Sequence, residues 1–76
     1  LHPIDSIAKK YNVTKYSISK IGNISQTGIS SAIERNQTID NFKVKTIIAI
    51  SKAINKTPGE TLDELLNFEE HLKNEK

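Results

Sequence analysis

Apolar residues in this chain return every three or four positions, and almost nowhere every second one. Ile4, Ile7, Ala8 and Tyr11 form the first stripe, Ile18 and Ile21 the second, and Ile29 with Ile33 the third. Ile47, Ile50, Ala53 and Ile54 follow, then Leu62, Leu65, Leu66, Phe68 and Leu72. Such spacing puts residues on one face of a helix, so the pattern predicts five helices over about 4–11, 15–22, 26–35, 44–55 and 58–73. No stretch alternates apolar and polar residues over the length of a strand. The expected fold class is therefore all-α, a compact five-helix bundle forming one domain over residues 1–76.

The polar residues between the stripes supply the boundaries. Pro3 suits the first turn of a helix, where its missing N–H is not needed. Asn12, Asn23, Asn36 and Asn55 stand where the first four helices should stop, and Asn tolerates the left-handed conformation that ends a helix. Thr14 and Ser25 can cap the helices that follow, and Thr57-Pro58-Gly59-Glu60 reads as a capping box with proline at the first helical position. Val13 and Tyr16 are available to pack at the entrance of the second helix. Gln37 to Asn41 reads as a polar connection with Phe42 as its anchor. Asn12, Asn23, Asn36 and Asn55 also fall in N-x-S/T triplets; stop and start signals in succession account for three of the four without glycosylation.

Length and charge narrow the function classes. A chain of 76 residues has a thin core and no room for a deep catalytic cavity. It has no cysteine, which excludes disulfides, thiolate metal sites and cysteine nucleophiles and fits a reducing cytoplasm. The apolar run Ile47 to Ile50 is far shorter than a membrane span. A first residue of Leu1 reads as a piece trimmed from something longer. His2 and His71 stand at opposite ends without metal-ligand spacing, and no glycine-rich phosphate loop is present, so neither an enzyme, a cofactor nor a small-molecule site is expected. His71 suits the negative end of a helix dipole. The net charge of +2 hides a division: residues 1–56 carry nine Lys and Arg against three acids, net +6, and residues 57–76 six acids against two lysines, net −4. A basic body with an acidic tail is the footprint of a domain that turns one face to a polyanion.

The second and third helices are short and separated by three or four residues, the arrangement of a helix-turn-helix. Its demands are met in register: a small residue for close approach at Ser19, a residue tolerating positive φ at Asn23, an apolar plug at Ile24, and Ile29 to seat the third helix. Lys15-Tyr16-Ser17-Ile18-Ser19-Lys20, Asn23-Ile24-Ser25-Gln26-Thr27-Gly28-Ile29 and Glu34-Arg35-Asn36 resemble the helix-turn-helix of the Xre/Cro family of phage-repressor-like regulators. The pattern from Thr46-Ile47 to Ala53-Ile54 and the acid-leucine run after Pro58 extend the likeness over nearly the whole chain. Three departures stand out: Asn23 where the family has a turn glycine, Ser19 where it has alanine, and four residues from Ile29 to Ile33 where it more often has three.

The resemblance implies a lambda-repressor-like DNA-binding domain whose recognition helix, 26–35, lies in the major groove of double-stranded DNA. With Ile29 and Ile33 inward, Thr27, Ser30, Ser31 and Glu34 point outward and Gln26 sits at the N-terminal rim. Gln26, Thr27, Ser30 and Ser31 are the expected base contacts: Gln26 can pair with adenine, and the Thr27 methyl can meet thymine. Ser and Thr at this density are poor helix formers, which points to a purpose other than helix stability. Gly28 admits a close backbone, of the DNA or of the second helix. If the family's docking holds, Lys15, Ser25, Arg35, Asn36, Lys43 and Lys45 contact phosphates. In the family the last helix often lies at a dimer interface, which here would use Leu62, Leu65, Leu66, Phe68 and Leu72; alternatively Leu62, Leu65 and Leu66 cap the monomer core. The expected function is sequence-specific DNA binding by a small transcriptional regulator, a repressor. Its rival is a protein-interaction module, antitoxin-like or an adaptor, that grips a protein through the fifth helix.

Overall fold

The computed structural model describes residues 2–74. The chain forms α1 (Pro3–Lys10), α2 (Lys15–Gly22), α3 (Gln26–Glu34), a 3-10 turn (Ile39–Asn41), α4 (Val44–Ile54) and α5 (Pro58–Asn74), with no strand among the described residues. The all-α bundle of five helices is thus the observed architecture, with element ends within about two residues of the expected ones.

Each of the first four helices ends on the same device. Asn12, Asn23, Asn36 and Asn55 all hold φ between 52° and 58°. The residue after each asparagine returns its N–H to a carbonyl five positions back: Val13 to Ala8, Ile24 to Ser19, Gln37 to Ala32 and Lys56 to Ser51, at 2.9–3.0 Å. These bonds satisfy carbonyls that a helix end otherwise leaves open. The starts are equally explicit. Thr14 Oγ1 accepts from Ser17 N at 3.0 Å and Ser25 Oγ from Gly28 N at 3.4 Å. At α5, Thr57 Oγ1 accepts from Glu60 N while Glu60 Oε1 accepts from Thr57 N, the reciprocal box expected there.

The cap of α1 is His2. Its Nδ1 accepts from Ile4 N at 3.1 Å, Asp5 accepts from His2 N at 3.3 Å, and Nε2 lies 2.8 Å from the Gln37 carbonyl. An acceptor at Nδ1 fixes the proton on Nε2, which then donates to Gln37. The buried ring also leans on Phe42, so this histidine ties the start of the chain to the end of α3.

Ile4, Ile7, Ile18, Ile29, Ile39, Ile47, Ala49, Ile50, Ile54 and Leu65 form the core, with Val13, Ile24 and Phe42 packed against it. Ile39 joins it from the connection expected to be polar. In α2 the buried stripe runs through Ile18 and Ser19, and Ile21 is 53% exposed. Gly22 explains the rotation. It is the last residue of α2, and a Cβ on it would stand 2.2 Å from Ala49 Cβ and 2.6 Å from Ala49 Cα. The contact of α2 with α4 is therefore made by small residues and pushes Ile21 outward. Tyr16 does not pack at the entrance of α2; it is exposed, with Lys20 Nζ over its ring. In α3 the buried pair is Ile29 and Ala32, and Ile33 is only half-buried.

Two acids of the tail fasten α5. Glu64 accepts from Lys10 Nζ and from Tyr11 Oη at 2.5 Å each, closing α5 on the end of α1. Those two hydrogen bonds hold the Glu64 carboxyl below its usual range, and the same contacts raise Lys10 and Tyr11. Glu69 Oε2 accepts from Ile39 N at 2.8 Å, securing α5 to the 3-10 turn.

Candidate nucleic-acid interface

Three residues, Asn23 to Ser25, join α2 to α3. The capped N-terminus of α3 stands free: Gln26, Thr27 and Gly28 are exposed. Ser30 and Ser31 are half-buried, because the helix is seated through Ile29 and Ala32. Ser31 Oγ accepts from Arg35 Nη2 at 2.9 Å, so its hydroxyl holds a guanidinium one turn away. Glu34 is exposed.

Beside α3 lies an open groove of about 390 Å³. Asn23, Ile24 and Ser25 form one end, Gly28, Ile29, Ala32 and Arg35 one wall, and Gln37, Phe42, Lys43, Lys45 and Thr46 the other. Its lining holds three cations and no carboxylate. Two helix N-termini open on it, α3 at Ser25 and α4 at Lys43; neither has an acid in its first turn, and no side chain caps α4. Free N–H groups and the positive end of each dipole add to the attraction for an anion.

Of the six residues expected at phosphates, Ser25, Arg35, Lys43 and Lys45 come together around this groove. Lys15 does not: its Nζ is 3.3 Å from Asp5 Oδ1, so it braces α2 against α1. Asn36 is exposed, and its backbone ends α3. Of the four residues expected at bases, Gln26 and Thr27 stand clear, while Ser30 and Ser31 are less accessible because Ala32 rather than Ile33 fills the inner face. Gly28 does not press against α2; the nearest atom to a Cβ there is Ser25 Cβ at 3.9 Å, and the glycine opens on the groove. Phe42, Gln37 and Thr46 were not foreseen in the groove. The row Ser25, Gly28, Ala32, Arg35 repeats at helical spacing and carried the signal for its α3 wall.

Of the five residues expected at a dimer interface, Leu65 is in the core, Phe68 packs against it and Leu72 is half-buried. Leu62 and Leu66 are exposed. No helix among the described residues is long and apolar enough to cross a membrane. No protein-family model matches the chain, and neither a curated protein nor a solved structure matches it.

Proposed function

We propose that this domain binds double-stranded DNA sequence-specifically, as the reading head of a small cytoplasmic transcriptional regulator of the Xre/Cro type that represses by occupying its operator. One observation carries the reading: a groove lined by Arg35, Lys43 and Lys45 without a carboxylate runs beside the exposed, uncharged start of α3. In this arrangement the groove takes backbone phosphate and sets the register, and Gln26 and Thr27 read base edges. Ser31 acts at one remove, aiming Arg35. The domain works by binding, without catalysis.

Paired titrations of two variants test the division of labour. Gln26→Ala should weaken binding to the selected site by about 1–3 kcal/mol and leave random duplex unaffected. Lys43→Ala should weaken both equally and reduce the salt slope by about 1. Equal losses on both duplexes for Gln26→Ala would remove its role in base reading. The second reading, a module that binds a protein, is favoured by Leu62 and Leu66 standing exposed on α5.

A further inference from the structure

We propose that His2 is a positioning residue of the groove beside α3, setting how the Lys43 wall stands against Arg35. The inference rests on the DNA-binding reading above and adds to it a buried residue that governs how tightly phosphate is held. His2 is 3% exposed and caps α1, 35 positions along the chain from its partner Gln37.

Two groove residues, Gln37 and Phe42, stand at the two ends of the connection from α3 to α4. His2 touches both. Its Nε2 donates to the Gln37 carbonyl at 2.8 Å, and its ring meets Phe42 with centroids 5.7 Å apart. Gln37 passes the restraint along, since its own Nε2 donates to the Asn41 carbonyl at 2.9 Å. The middle of the connection has a separate hold, Glu69 at Ile39 N.

The ring is held on its other side as well. Ile4 N donates to Nδ1 at 3.1 Å, and His2 N donates to Asp5, whose second oxygen is 3.3 Å from Lys15 Nζ. A side chain anchored on α1 thus fixes the wall across from α3. Lys43 follows Phe42 directly and begins α4 without a side-chain capping bond. With His2 gone, the connection is freer, and ordering Lys43 on a phosphate then costs affinity. Gln26 and Thr27 keep their place, because the Ser25 cap and buried Ile29 seat the start of α3 separately.

His2→Asn tests the proposal. Asparagine is a good helix cap, so it can replace Nδ1 for Ile4 N, but it is too short to reach Gln37 as well. Wild type and variant are titrated with selected and random duplex over a range of salt. The variant should bind both about five- to tenfold more weakly, with a salt slope lower by up to about 1 and the selected-to-random ratio held within about twofold. Added to Lys43→Ala it should cost less than about twofold more, whereas added to Gln26→Ala the two losses should multiply. Thr57→Ala, which uncaps α5, controls for lost stability and should bind as the wild type does; circular dichroism checks each fold. Phe42→Leu, which removes the ring contact, should give the same pattern and serves if His2→Asn does not fold. Undiminished binding, a loss confined to the selected duplex, or losses that multiply with Lys43→Ala would overturn the proposal. No binding by the wild type at low salt would instead remove the reading on which it rests.

Discussion

Gly22→Ala isolates the close approach on which α2 is seated. In an exposed helix this change gains about 0.8–1 kcal/mol, because glycine is the poorer helix former. Here the added carbon would meet Ala49 Cβ at 2.2 Å and Ala49 Cα at 2.6 Å. Ordinary carbon contacts begin near 3.5 Å, so α2 and α4 must separate by about 1 Å where Gly22 meets Ala49. Overpacking of this kind costs about 1–3 kcal/mol, and the backbone clash argues for the upper end. The expected net effect is about 2 kcal/mol of destabilisation, or about 8–16 °C in Tm for a domain of this length. Urea unfolding with an unchanged m-value is the assay. Ala49→Gly should cost less in the Gly22→Ala background than in the wild type, because it removes one of the two clashing atoms. A neutral or stabilising Gly22→Ala would show propensity alone at work and refute the close approach.

The control is Gly59→Ala in α5, where a Cβ meets nothing within 4 Å; it should stabilise by up to about 1 kcal/mol in the same assay. Replacing Asn12, Asn23 or Asn55 by Ala should each cost about 1 kcal/mol, and by Gly almost nothing, since only the left-handed backbone is at stake. Glu64→Gln should lower stability at neutral pH. Because folding depresses the Glu64 carboxyl from its ordinary 4.5, its contribution is complete above that value and lost as pH falls through the depressed one, so the gap between wild type and variant should close in acid. A gap that persists unchanged in acid would mean that the Lys10 and Tyr11 contacts do not depend on the charge.

The helix boundaries were legible because each is a local requirement carried by one or two residues. Asn at positive φ and Thr or Ser at a start do their work without reference to the rest of the chain. Rotations of the helices were not legible. Large apolar residues dominate a periodicity, whereas the inner faces of α2 and α3 take in the small Ser19 and Ala32, Gly22 lies against Ala49, and Ile21 and Ile33 are more exposed. Ile39 was missed because a single apolar residue in a polar stretch has no period, and His2 because its role is visible only through Pro3 and Asp5 as a capping box.

The candidate site divides in the same way. Ser25, Arg35, Lys43 and Lys45 were nameable from their position around the third helix, and the groove brings them together. Lys15 bears the same charge, but Asp5 engages it, a pairing that needs the packing of α1 on α2. The acidic tail read as one feature separates into Glu60, which caps α5, Glu64 and Glu69, which tie α5 to α1 and to the 3-10 turn, and Asp63 and Glu70, which are exposed.

Selection of bound sequences from a random duplex pool, with the winner and a scramble then titrated at two salt concentrations, tests the central claim most directly. The account predicts enrichment of a defined site, a preference of at least about 10³ over scramble, and a fall of that preference by about 1–3 kcal/mol in Gln26→Ala. Binding that stays equal for winner and scramble, or no binding at low salt, would contradict it.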